Sequence, residues 1–343
     1  MINLPENIQK DLDLISSVAD DLMMKPFIVG GLPRDLMFGY QIDDDTDLDI
    51  TEKYGNAFDL AFFVSAKYNL MQPQIYPSSG TALVMMESGR AIEFHNAFYN
   101  VPHIIDQLYA MGIKPTPINK DVYSRDFTID TLLYDFVDGT IIDITKMGIP
   151  DIQNRILRVP IKAEKTLARS PKNILRGIRF KIQFNLTEDE DYTKAVQKYI
   201  PDLIRFMLDN PDSQMIARTV KKTFRLDHKR AYEEYSKLGL WEYIPDTVID
   251  KNAVMKSEIF GIDVMPKVAQ TKMMKRLLDK HDKHRDYMRR KRREESQKMQ
   301  EMRKIFDRAR SGYYLTNDEP EFVKQRKIDK RQKLYDYISK KDY

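Results

Sequence analysis

Cysteine is absent from this chain of 343 residues, which excludes disulfide frameworks, thiolate zinc sites and cysteine nucleophiles together. Only five His residues are present, and they are scattered. A His-built metal cage is therefore not expected, and any metal site must rest mainly on carboxylates. No apolar run approaches the roughly 18 residues that a membrane-spanning helix needs. The first residues, Met1 to Lys10, include Glu6 and lack the basic-then-apolar order of a secretory signal. These absences predict a protein of a reducing, cytoplasmic compartment with no membrane partner.

What is present is enough to build a sizeable core: 42% of residues are hydrophobic, against 31% charged. At about 150 residues per domain the length predicts two or three domains. The net charge of +4 hides an asymmetry. Residues 271–343 carry 24 Lys and Arg against 13 Asp and Glu, whereas residues 1–270 carry 32 against 39. A mildly acidic body with a basic tail suggests a polyanionic partner, nucleic acid first. A solvated helical face is the other reading of the same charge.

Apolar spacing predicts an amphipathic helix over residues 1–24, with Pro5 near its start. Short β-rich runs follow. Pro26 to Val29 is a compact apolar strand ending on Gly30-Gly31, and Leu36 to Gly39 closes a short helix. Asp47 to Thr51 alternates polar and apolar, as a half-buried strand does. Asn56 to Tyr68 reads as a helix. Hairpins are expected about Ser88-Gly89 and about Asp138-Gly139. From about residue 163 strands are no longer expected. Helices are predicted around 174–180, 192–200, 215–224 and 231–238, punctuated by Pro201, Pro211 and Pro245. A long basic helix is predicted over 267–310. The layout is a mixed α/β head followed by helices, an α+β chain with no internal repeat.

The densest chemistry lies between Gly30 and Thr51. Gly30-Gly31 follows a strand and opens a helix, so backbone N–H groups can meet an anion. Arg34 lies one turn further on, within reach of the same phosphate. Asp47 and Asp49 stand two apart on a strand, which puts both carboxylates on one face. Paired hard oxygen ligands suit Mg²⁺, which keeps waters and substrate phosphates as its other ligands. A phosphate cradle, an Arg and paired carboxylates outline a two-metal phosphoryl or nucleotidyl transfer site. Glu93, on the second strand of the first hairpin, is a candidate third carboxylate or simply a surface-strand Glu.

The segment from Phe27 to Gly39 resembles the G-G-x-V-R-D-x-L-L-G signature of the class II tRNA nucleotidyltransferase and bacterial poly(A) polymerase family. Asp47 to Thr51 is similar to that family's D-x-D-I-A-T strand, and Ser124 to Leu132 to its R-R-D-F-T-I-N-A-L segment. Ile174 to Phe180 resembles the closing half of its E-D-x-x-R-x-x-R-A-x-R-F helix. The motifs occur in order over residues 27–180, and the likeness fades by about residue 250.

The resemblance implies a DNA-polymerase-beta-type nucleotidyltransferase head with a mixed sheet over residues 1–160. It further implies a helical neck and body over 161–250 and a basic, RNA-binding helical tail over 251–343. It implies template-independent addition of nucleotides from ATP or CTP to an RNA 3′ end, that of tRNA or another RNA, with Mg²⁺. By position, Asp47 and Asp49 would hold metal, joined by Glu93 if it faces them. Gly30, Gly31 and Arg34 would contact the triphosphate, and Arg125 and Asp126 the ribose. Arg176 and Arg179 would face phosphate, or pair on the helix surface. Read without the family, Arg125-Asp126 is a helix-start ion pair beside Phe127.

The chain also departs from the pattern. The loop before the metal strand is about two residues longer, which leaves Asp45 with Asp47 as an alternative metal pair. Ser124 replaces an Arg. The family's base-reading Asp and Arg align with Ser170 and Asn173, so selection of C then A is not implied, and CCA and A-only addition both remain open. Tyr287, Phe306, Tyr313 and Tyr314 in the tail can stack on bases or pack between helices. Two rival functions stay in view: a nucleotidyltransferase with another acceptor, and a non-catalytic RNA-binding protein.

Overall fold

The computed structural model describes residues 4–76, 80–96, 102–251, 254, 325 and 329. The long basic helix expected over 267–310 and the tail aromatics lie outside these residues. The chain divides into two compact units, with the division after Ile152.

The first unit opens with α1 (Glu6–Leu22), whose Ile8, Leu12, Ile15, Val18 and Leu22 recur at helical spacing and are all buried. The chain continues through β1 (Pro26–Val29), α2 (Gly31–Met37), β2 (Leu48–Glu52) and α3 (Ala57–Lys67). Next come β3 (Gln74–Tyr76), β4 (Thr81–Met85), β5 (Ala91–His95), α4 (Pro102–Ala110) and α5 (Pro117–Tyr123). A short turn of 3-10 helix (Thr128–Asp130), β6 (Leu133–Asp135), β7 (Thr140–Ile142) and α6 (Gly148–Gln153) complete it. Seven strands form one mixed sheet in the order β3-β4-β5-β2-β1-β6-β7. Both predicted hairpins are present as antiparallel pairs, β4 with β5 and β6 with β7. The sheet's parallel pairing is β2 with β5.

Period-2 alternation sorts the central strands between two faces. Ile28, Leu48, Ile50, Val84, Ile92 and Phe94 turn to one side and pack with the buried stripes of α1 and α3. Each such side chain contributes about 1.5–3 kcal/mol on burial. Asp49, Glu93 and His95 occupy the alternate positions and are therefore presented on the opposite face. At the end of β2, Glu52 is buried, and its carboxylate accepts from the backbone N–H groups of Lys25, Tyr54 and Asn56.

Gly148 at the start of α6 is fixed by space. A Cβ there would lie 2.8 Å from both Leu132 Cδ2 and the Thr128 carbonyl oxygen. The Gly148→Ala variant is expected to lose about 1–3 kcal/mol through overpacking, read as a lower urea midpoint at unchanged slope.

The second unit contains β8 (Ile156–Leu157), α7 (Ala163–Arg169), α8 (Asn173–Gln183), β9 (Thr187–Glu188), α9 (Glu190–Asp209), α10 (Gln214–Leu226) and α11 (His228–Lys237). It corrects two expectations. Strand structure does not end near residue 163, because β9 pairs in parallel with β8. Pro201 does not interrupt a helix but lies inside α9. The proline is exposed, so the backbone carbonyl it leaves without an N–H partner can turn to water.

Candidate active site

The site begins at the β1–α2 turn. Gly30 has φ +83°, a left-handed value that side chains with a Cβ rarely adopt. A Cβ here would also stand 3.1 Å from Arg125 Nη1 and 3.5 Å from Asp49 Oδ2. Glycine is thus required twice, for conformation and for the approach of two charged groups of opposite sign. Three sequence-predicted residues (Gly30, Asp49 and Arg125) therefore meet at one point.

The parallel register of β2 and β5 sets Asp49 beside Glu93 and Thr51 beside His95. His95 Nε2 lies 3.2 Å from Asp49 Oδ1 and 3.5 Å from Glu93 Oε2. One ligand atom from each of Asp49, Glu93 and His95 falls within 4.8 Å of the others. Their side chains are 32%, 47% and 24% exposed, open enough for a substrate to reach. Partial burial, followed by the charges of Asp49 and Asp47, pushes Glu93 above the usual carboxylate range, against an opposing pull from His95. A carboxylate held up in this way by two neighbouring carboxylates belongs to a donor set a divalent cation suits, since the ion supplies the charge that balances them.

Asp47 immediately precedes β2 and is exposed, close enough to act electrostatically on Glu93. Asp45, the alternative partner, is exposed in a turn where its N–H and the Thr46 hydroxyl both donate to Asp43.

Arg125 follows α5, and its guanidinium donates to Asp121 Oδ1 at 3.1 Å. Burial works against the charge, but Asp121, Asp49 and Asp130 outweigh it and hold the guanidinium above its ordinary value. The cation facing Gly30 is thus permanently charged. Asp126 lies in the bend after Arg125 and is partly exposed.

Gly31 opens α2, and Arg34 Nη2 lies 3.7 Å from where its Cβ would be. Arg34 is beside the glycine turn as expected, but its charge is shared. Nη1 donates to Asp130 at 2.6 Å and Nε to Asp35 at 2.8 Å, with the Arg34 and Asp130 side chains only 10% and 6% exposed. These bonds tie α2 to the turn after Arg125.

Arg176 and Arg179 stand on α8 in the second unit, their guanidinium carbons 5.5 Å and 4.6 Å from the Phe180 ring centroid. At the start of that helix, Ser170 Oγ donates to Asn173 Oδ1 at 3.0 Å, and Asn173 is buried.

Sequence reasoning missed His95, Asp121 and Asp130. His95 was findable, because it repeats the alternation of Glu93 two residues later. Asp121 stands four residues before Arg125, a helical ion-pair spacing. Asp130 carried no signal, since its partner lies 96 positions away.

Residues 26–158 match the family model described as the poly A polymerase head domain. The chain is 37% identical over 86 residues to tRNA nucleotidyltransferase cca2 of Schizosaccharomyces pombe, covering 25% of this chain and 18% of that protein. It is 24% identical over 261 residues to the A-adding tRNA nucleotidyltransferase of Geobacter sulfurreducens, covering 74% of this chain and 28% of that protein. The crystal structure of the Bacillus stearothermophilus CCA-adding enzyme in complex with CTP superposes with a TM-score of 0.54 at 23% identity, over 71% of this chain and 55% of that one. The fold of the first unit is thus the nucleotidyltransferase head, with a mixed sheet. The chain spans less than a third of the length of these two curated relatives.

Proposed function

From the premise that the chain belongs to the tRNA nucleotidyltransferase and poly(A) polymerase family, we propose that it adds nucleotides from triphosphates to an RNA 3′ end without a template. The observation that carries this reading is the meeting of Asp49 and Arg125 over Gly30. There a candidate metal-binding carboxylate and a fixed cation both approach a glycine whose lack of a side chain makes room for them.

In this reading Asp47, Asp49 and Glu93 would hold Mg²⁺. Divalent ions in such a site supply a Lewis acid for the attacking hydroxyl and a counter-charge for the pyrophosphate. The protein's own groups do the rest. Arg125, kept charged by Asp121, neutralises phosphate oxygens beside Gly30. The open backbone at Gly30-Gly31 lets the triphosphate approach closely. Arg34, anchored by Asp35 and Asp130, holds the turn beside Gly31 rigid, so little reorganisation is needed when charge develops. Asp126 is positioned after Arg125 to accept from a ribose hydroxyl. Within the second unit, Arg176 and Arg179 on α8 are assigned to phosphate. A cytoplasmic location belongs to the same reading, in keeping with the cysteine-free sequence.

The RNA needs a grip of its own, and α10 offers one. Arg218, Lys222 and Arg225 are exposed along one stripe, while Ile216, Val220 and Phe224 are buried on the other side. The helix has no Asp or Glu, and among the described residues no carboxylate pairs with these three. Each phosphate contact lowers log affinity by about 0.7–0.9 per log unit of salt. A Lys222→Glu, Arg225→Glu double variant is expected to weaken RNA binding at low salt by about tenfold or more and to flatten the salt slope by about two contacts. Filter binding across a salt series measures both. The basic sequence of residues 271–343 would add to this grip as the RNA-binding tail.

Incubation with Mg²⁺, labelled ATP or CTP, and tRNA with or without its 3′ end tests the proposal. Extension of the RNA is expected, and sequencing the product separates CCA from A-only addition. No labelled RNA with any of the four triphosphates would refute it.

A further inference from the structure

We propose that His95 supplies a nitrogen ligand to the metal site of Asp49 and Glu93, and that its imidazole shifts the site's preference away from Mg²⁺ towards Mn²⁺. The inference rests on the reading of this face as a metal site and adds to it a ligand of a different chemical kind.

Three observations carry it. His95 Nε2 is 3.2 Å from Asp49 Oδ1 and 3.5 Å from Glu93 Oε2. Ligands at about 2.1 Å in an octahedral shell stand about 3 Å apart along an edge, so these separations match neighbours around one ion. The second observation is the other ring nitrogen. His95 Nδ1 lies 3.2 Å from Thr81 Oγ1, and Thr81, directly opposite on β4, is buried. With the hydroxyl accepting from Nδ1–H, the Nε2 lone pair is left facing two carboxylates. Metal-binding imidazoles are oriented in this way, by an oxygen acceptor on the far nitrogen. The third is backbone placement. Glu93 and His95 are alternate residues of one central strand, held by ladders on both sides. The nitrogen is therefore positioned before any ion arrives, on a rigid element rather than a loop.

The chemical consequence follows from ligand type. Mg²⁺ favours a shell of oxygens and gives up water reluctantly, whereas imidazole binds later divalent ions better, Mn²⁺ being the first of that series. An all-oxygen site discriminates less strongly in this direction. The rival explanation of the same distances is an ion pair between a protonated imidazole and the two carboxylates.

Pulsed EPR on the full chain loaded with one equivalent of Mn²⁺ separates the two. Modulation from a directly bound imidazole nitrogen is expected, changing as it should when histidine is supplied with ¹⁵N and disappearing in His95→Gln. Competition titration should show the Mn²⁺ over Mg²⁺ affinity ratio falling by about tenfold in the variant. Bound Mn²⁺ with no nitrogen modulation in the unaltered chain would overturn the proposal and leave His95 as an ion-pair partner. Equal losses of Mn²⁺ and Mg²⁺ affinity in His95→Gln would do the same. Because the first readout needs no variant, a poorly folding substitution cannot obscure it. Failure of the functional reading shows separately, as nitrogen-bound Mn²⁺ in a protein that extends no RNA.

Discussion

Asp49→Asn is expected to leave the protein folded and to lower RNA 3′-end extension by at least about a thousandfold, or roughly 4 kcal/mol of transition-state stabilisation. The expectation comes from position. Asp49 approaches Gly30, pairs with Glu93 across the parallel register and adds to the field that keeps Arg125 charged. Asn has the same shape but cannot neutralise a cation. Thermal stability should change little, since the side chain is a third exposed and the substitution relieves repulsion with Glu93. Asp45→Asn serves as the control and should retain activity close to that of the unaltered chain. Single-turnover extension rates, with circular dichroism melts of each variant, measure both quantities. If Asp45→Asn inactivates and Asp49→Asn does not, the metal pair is the other one.

The second large effect concerns Arg125. Its guanidinium neutralises Asp121, whose side chain is 7% exposed. Arg125→Met removes the cation and leaves that carboxylate buried without its partner, at a cost of about 3 kcal/mol. For a unit of this size the melting temperature should fall by roughly 6–12 °C. Activity should fall too, for a separate reason: no fixed positive charge would remain beside Gly30. Adding Asp121→Asn separates the two losses. The double variant should regain most of the stability and none of the activity, measured by urea unfolding and by the KM for the triphosphate. Recovery of activity along with stability would mean that Arg125 only holds the fold.

How much of this was legible in the sequence depends on how local the cause is. Helix α1, strand β1 and both hairpins are written in spacings of two to four residues with turn residues between, and they appear where expected. Gly30 and the Asp47–Asp49 alternation are local signals of the same kind. Two expectations failed because tertiary context overrides a local rule. Pro201 reads as a break, yet an exposed proline on the solvent side of α9 is tolerated there. Strand β9 is two residues long and forms only because β8 is available to pair with it. The anchor Asp130 lay beyond periodicity altogether. Its role appears only when the chain brings the turn after α5 against α2.

The junction of β2 and β5 has a consequence for how the protein can vary and how it matures. Between Glu52 and Ala91 the chain passes through α3, β3 and β4, so two halves of one charge cluster arrive from distant stretches. Slippage of β5 by a single position would send Glu93 and His95 into the greasy interior and bring Ile92 and Phe94 out. A chain zipped in the wrong frame is therefore expected to lose the charge cluster along with its stability. Lengthening the surface connections should be forgiven, while deleting one residue within β5 should abolish the proposed RNA extension.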